Sequence, residues 1–141
     1  MLTIGLKKTF VYKVNYQNLA SQVGSGDLDV LATPSLLAFM ENSAKELVKE
    51  ELSELDSTVG INVEMSHLAP TKLNDEVKVE CELINVEGRI LTFNILAYDS
   101  NTLVSKMVHI RCIVNKEKFM SVLSAFKKAE KENADKKTET K

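Results

Sequence analysis

Ala32-Thr33-Pro34-Ser35-Leu36-Leu37-Ala38-Phe39-Met40-Glu41-Asn42, continued by Ser43-Ala44-Lys45-Glu46-Leu47-Val48, is the stretch that decides the fold. Thr33 is a good helix-capping residue and Pro34 suits the first helical position, so a helix is expected to start here. Leu37, Met40, Ala44, Leu47, Val48 and Leu55 recur at three- and four-residue intervals and form one apolar stripe. The spacing predicts a helix running to about Leu52 or Leu55. A helix this long and apolar needs a sheet to lie against.

Downstream, the period changes to two. Val59, Ile61, Val63, Met65 and His67 are predicted to share the inward face of a strand, with Asn62, Glu64 and Ser66 on the other. Val77, Val79, Cys81 and Leu83 repeat the alternation. Glu87-Gly88-Arg89 reads as a turn leading to Leu91, Phe93, Ile95 and Ala97. A second turn at Asp99-Ser100-Asn101 leads to Val104, Val108, Ile110, Cys112 and Val114 as the inward set, which sends His109 outward.

Upstream, Thr3 to Val14 reads as a strand, Asn15 to Asp27 as a loop with a short helical turn, and Leu28 to Leu31 as a brief strand. Lys116 to Phe126 is predicted to form a short terminal helix. The order is strand, long helix, then four strands joined by short turns, which imply antiparallel neighbours. The expected fold class is α+β: an antiparallel sheet of about five strands curled around one long helix, the hotdog architecture. Residues 1–126 form one domain in this reading, and the charged segment 127–141 frays. The curl leaves an edge to cover, so a homodimer is expected.

Composition narrows the function. The chain has 141 residues, 44% hydrophobic and 27% charged, which suits a single globular domain with a real core. A net charge of −2 makes no case for nucleic acid or an anionic membrane as partner. Lys127, Lys128, Lys131, Lys136 and Lys137 are interleaved with acidic residues and read as a solvated tail. No stretch approaches the ~20 apolar residues of a membrane span, and the first residues lack a signal peptide's apolar core, so a cytoplasmic location is expected. Cys81 and Cys112 sit at strand positions without a CxxC spacing; two buried, reduced thiols are expected and no metal site.

Three polar residues stand within apolar segments. Thr33, Glu41 and His67 carry the hydroxyl, carboxylate and imidazole from which acyl-transfer sites are built. Each has a plain structural explanation as well. Thr33 could simply cap the helix, and Glu41 could pair with Lys45 one turn on. His67 could be a satisfied core group, yet its ordinary titration range makes it the obvious base near neutral pH. Gly60 signals a β-bulge or a close backbone approach, either of which could present an N–H to a carbonyl.

The order and spacing of these residues resemble the fluoroacetyl-CoA thioesterase-like group of hotdog thioesterases. The motifs are Gly24-Ser25-Gly26 through Val30, Ala32-Thr33-Pro34, Met40-Glu41, Val59-Gly60, His67-Leu68-Ala69 with Thr71, Val86 to Arg89, and His109 with Arg111. The resemblance covers about residues 3–126. It implies that Thr33, Glu41 and His67 act together on an acyl-CoA thioester, that Gly60 takes part in recognising the substrate carbonyl, and that Arg111 lies near the site. It implies hydrolysis of a short-chain acyl-CoA to acid and CoA, with no metal or redox cofactor, with water, Thr33 or Glu41 as the attacking group. The chain departs from the group's aromatic lid, because Val14 to Asp27 holds only Tyr16 as an aromatic. A non-catalytic acyl-CoA-binding hotdog protein is the alternative, and a hotdog dehydratase or isomerase a third reading.

Overall fold

The computed structural model describes residues 1–139. Strands β1 (Lys7–Lys13), β2 (Asp56–His67), β3 (Glu76–Glu87), β4 (Ile90–Asp99) and β5 (Thr102–Asn115) form one antiparallel sheet in the order β1-β3-β4-β5-β2. Among the described residues the helices are α1 (Ala20–Val23), α2 (Thr33–Lys49) and α3 (Lys116–Glu139), with a 3-10 turn at Tyr16–Asn18. The hotdog expectation holds: one long helix lies on one face of a five-stranded sheet. None of these helices is long and apolar enough to cross a membrane.

The core lies between α2 and the two central strands. Leu36, Met40, Ala44, Leu47 and Val48 of α2 meet Val77, Val79, Cys81 and Leu83 of β3 and Leu91, Phe93, Ile95 and Ala97 of β4, all buried. Ser43 is buried among them because its hydroxyl donates to the Met40 carbonyl. Leu36 takes the inner position expected for Leu37, which is half-buried. The helix ends at Lys49 rather than Leu52 or Leu55, since the chain must turn into β2 at Asp56; Leu55 is left 68% exposed. Phe93 is fully enclosed, so Phe93→Ala is expected to cost about 3–5 kcal/mol of stability through lost burial and an unfilled cavity. Urea unfolding of the two proteins side by side checks this, and a loss under 1 kcal/mol would contradict the packing.

Two irregularities change which side chains face inward. In β2 the pairing with β5 skips Ile61 between Gly60 and Asn62, a bulge that shifts the alternation by one. Gly60, Val63, Met65 and His67 therefore lie opposite Arg111, His109, Met107 and Ser105. Val59 and Ile61 leave the predicted inward set, and Ile61 is 55% exposed. In β5 the register breaks beside Tyr98, leaving Val104 outside the paired positions. From there Ser105, Met107, His109 and Arg111 turn inward and are buried. Val108, Ile110, Cys112 and Val114 alternate with them on the outer face, the reverse of the expectation. His109, expected outside, is fully buried.

The segment Leu28–Leu31 makes isolated bridges rather than a strand, Val30 with Lys72 and Leu31 with Leu19. Cys81 is buried and Cys112 only half-buried; both are free thiols. Helix α3 continues past Phe126 to Glu139, where composition led us to expect a frayed end. The last two residues of that expected tail lie outside the described residues.

Candidate active site

The five residues singled out in the sequence fall into two groups. In the first, Thr33 opens α2 and His67 closes β2, and Thr33 Oγ1 lies 2.7 Å from His67 Nδ1. Thr33 was expected to cap the helix. Instead Ala32 occupies the capping position, and no side chain caps α2. The hydroxyl of the first helical residue is thus directed at an imidazole. The same helix end leaves backbone N–H groups without intrahelical partners, which makes it favourable for developing negative charge.

Burial holds the His67 pKa below its ordinary value, opposed by the backbone of Ala69, which favours the charged ring. His67 Nε2 is buried and makes no hydrogen bond among the described residues. Val30, Leu31, Leu68, Ala69 and Pro70 border His67 with a small apolar cleft of about 240 Å³. A neutral imidazole at pH 7, joined to an exposed hydroxyl, has the form of a general base beside an oxygen nucleophile.

The second group assembles around Gly60. Glu41 reaches from the middle of α2, and its Oε2 lies 3.6 Å from Arg111 Nη1, an ion-pair distance too long for a hydrogen bond. Lys45 pairs with Glu46 instead of with Glu41. A Cβ on Gly60 would lie 2.7 Å from Glu41 Oε2 and 3.1 Å from His109 Cε1. Gly60 therefore has the expected bulge beside it, while what lies over it is the Glu41 side chain of α2 rather than a neighbouring backbone.

Arg111 is held on all three nitrogens. Nε donates to Thr58 Oγ1 at 2.8 Å, Nη2 to the Thr58 carbonyl at 2.9 Å, and Nη1 to His109 Nε2 at 3.0 Å. This last contact settles the chemistry of His109. Its Nδ1 lies 2.8 Å from the Asn62 carbonyl, which can only accept, so Nδ1 carries the proton and Nε2 offers a lone pair to Arg111. His109 is then neutral, and the 3.8 Å separation between its Nε2 and Glu41 Oε2 is not an ion pair. Burial also holds the His109 pKa low, assisted by Arg111 and opposed by the Asn62 carbonyl and Glu41. Burial lowers the Arg111 value too, with Glu41 opposing.

Sequence reading sent His109 outward and gave it no role, and it did not single out Thr58. The signal for His109 was its two-residue spacing from Arg111, which puts both on one strand face. No alternation count could assign that face across the break at Val104. Among the described residues no group of three His, Cys, Asp or Glu side chains is placed to hold a metal ion.

Within one chain the two groups stay apart. Thr33 and Glu41 are eight residues apart on α2, about 12 Å along its axis, and the contacts of Glu41 are with the Gly60 group rather than with Thr33 or His67. Two expectations follow from this arrangement. Gly60→Ala is expected to push the flexible Glu41 carboxylate aside, lowering turnover at least about tenfold while stability changes by about 1 kcal/mol or less. Parallel kinetics and urea unfolding test it, and unchanged turnover would remove Gly60 from the site.

The second concerns pH. Both histidines have folded pKa values below the ordinary ~6.5 of the unfolded chain. The unfolded state therefore binds more protons below about pH 6.5, so their contribution to stability is full above that value and lost as pH falls through the depressed folded values. The urea midpoint should drop between pH 7.5 and 5.5; a midpoint that rose would contradict two neutral, buried rings.

Comparison with known proteins places these features. The family model described as fluoroacetyl-CoA-specific thioesterase matches residues 14–117. The fluoroacetyl-CoA thioesterase of Streptantibioticus cattleyicolor is 29% identical over 91 residues, which are 64% of this chain and 66% of that protein. The chain thus spans slightly under two thirds of that curated relative. A solved structure of the fluoroacetyl-CoA thioesterase superposes with a TM-score of 0.83 at 22% identity, covering 89% of this chain and 97% of that one. A hot-dog-like protein from Thermanaerovibrio acidaminovorans gives a TM-score of 0.78 at 23% identity, covering 86% and 90%. With the sheet, the long helix and an order of motifs that all lie inside the matched segment, the chain belongs to the fluoroacetyl-CoA-specific thioesterase family.

Proposed function

We propose that this protein hydrolyses a short-chain acyl-CoA thioester to free acid and CoA. The observation that carries the reading is the Thr33–His67 hydrogen bond, in which a helix-opening hydroxyl is directed at a neutral imidazole rather than at its own helix. Structures of the relative with fluoroacetate and CoA, and with acetyl-CoA, support an acyl-CoA as the ligand class. His67 serves as general base toward the Thr33 hydroxyl or a water. Backbone N–H groups near Gly60 and at the start of α2 hold the oxyanion, each donor worth roughly 3 kcal/mol in comparable sites. Glu41, set by Arg111, orients and stabilises the imidazolium or attacks the carbonyl itself. The departing thiolate has an intrinsic pKa near 8.5 and needs little help to leave.

The two groups become one site if the protein is a homodimer. β2 is an edge strand, with Ile61 and Val63 exposed. A groove of about 620 Å³ runs beside it along Val63, Met65, Lys106 and Val108. Antiparallel pairing of β2 with its copy, centred near Glu64, keeps inward positions opposite inward ones across the bulge. Each His67 then faces Gly60 of the second copy, and with it that copy's Glu41. Each of two equivalent sites would take Thr33 and His67 from one chain and Glu41, Gly60 and Arg111 from the other. We place the protein in the cytoplasm on the same footing.

Thiol release from a panel of acyl-CoAs tests the activity. Release from one or two short-chain esters supports hydrolysis and names the acyl class. CoA-ester binding without release would move the protein to the binding reading.

A further inference from the structure

Three lysines converge beside the Glu41 group in a chain of net charge −2. Lys45 and Lys49 of the last turns of α2 and Lys116 of the start of α3 line a pocket of about 210 Å³ together with Ser57 and Thr58 of β2. One carboxylate, Asp56, also lines it, and Glu46 pairs with Lys45 beside it, leaving one net positive charge. The Lys49 ammonium has no ion-pair or hydrogen-bond partner among the described residues. Lys45 meets only Glu46, at 3.2 Å and half in solvent, and Lys116 bonds the Glu54 carbonyl at 3.0 Å. Thr58 Oγ1 already accepts from Arg111 Nε, so its own proton is free to be donated into the pocket. Cations and hydroxyl donors around a small concavity suit a phosphate oxyanion.

The position gives this pocket a use. Thr58 bridges it to Arg111, and Arg111 faces Glu41. Lys45 is one helical turn beyond Glu41 and Lys49 two turns, about 12 Å along the axis. We propose that Lys45, Lys49, Lys116 and the Thr58 hydroxyl form the subsite for the phosphate groups of the CoA tail, while the thioester lies at Glu41 and Gly60. The assignment rests on the acyl-CoA reading above and extends it to residues that reading does not use.

The test separates the phosphates from the thioester. Acetyl-CoA and acetylpantetheine present the same reacting group, but the second lacks the nucleotide and its phosphates. For Lys45→Ala/Lys49→Ala, kcat/KM with acetyl-CoA should fall about tenfold, through KM, while kcat/KM with acetylpantetheine moves less than twofold. Added salt should raise the wild-type KM for acetyl-CoA alone. Equal effects on both substrates, or none on either, would overturn the subsite.

Calorimetric binding of free CoA, pantetheine and inorganic pyrophosphate needs no turnover. The wild type should bind CoA at least tenfold more tightly than pantetheine, and the double variant should lose that advantage. Wild-type binding of CoA no tighter than of pantetheine overturns the proposal even if hydrolysis is observed. A lysine-dependent preference for CoA without hydrolysis supports the subsite and removes only the catalytic reading. Pyrophosphate binding as tight as that of CoA would overturn the assignment to the CoA tail in favour of a general diphosphate site.

Discussion

Thiol release is expected to fall about 10²- to 10⁴-fold in His67→Ala, with KM changed far less. His67 is the group whose depressed pKa leaves it neutral at pH 7, and its Nδ1 is already 2.7 Å from an oxygen it could deprotonate. Removing the ring takes away proton transfer in the transition state while leaving the Gly60 group and the helix end in place. The acid limb of kcat/KM should lie below the ordinary imidazole value, in keeping with that depression. Thr33→Ala and Thr33→Ser then distinguish the attacking group. If the hydroxyl attacks, alanine matches the loss in His67→Ala and serine restores most of the rate. If water attacks, alanine loses only about tenfold, the share of one positioning hydrogen bond. Near-full activity in His67→Ala would remove the imidazole from the reaction.

Glu41→Gln is expected to lower kcat about 10²- to 10³-fold while leaving the fold intact, because Gln keeps the length and contacts of a side chain that is partly exposed. The larger claim concerns which chain supplies the carboxylate. Glu41→Gln and His67→Ala should each be nearly inactive alone. When the two are mixed and allowed to exchange subunits, half of the dimers are mixed, and each mixed dimer holds one site with both groups intact. Activity should recover to roughly a quarter of wild type. No recovery, with exchange verified by a tagged subunit, would place Glu41 and His67 in one chain. It would then require α2 or β2 to move by several ångströms to bring them together.

Much of the architecture could be read from local pattern, and for a physical reason. Helical and strand periods are properties of contiguous residues, so the stripe on α2, the alternation in β3 and β4 and the turns at Gly88 and Ser100 were visible without any long-range information. Gly60, too, was legible, since a glycine inside a strand pattern by itself marks a bulge or a close approach. What misled the reading was phase. Alternation predicts a face only while pairing is unbroken, and one skipped residue at Ile61 and another at Val104 exchanged the two faces of β2 and β5. The count that placed His67 inward began from Val59, which is not inward itself. The count that sent His109 outward began on the wrong side of a break.

From sequence alone, then, came the fold class, the helix that carries Thr33 and Glu41, and the candidate set Thr33, Glu41, His67, Gly60 and Arg111. All but Arg111 depend on residue type and short spacing; Arg111 entered only through the family resemblance. Tertiary structure alone decided the grouping: Thr33 with His67, and Glu41 with Gly60, Arg111, Thr58 and His109. Those partners come from elements far apart in the chain, and strand register, which nonlocal pairing sets and a single bulge can shift, determines which of them meet.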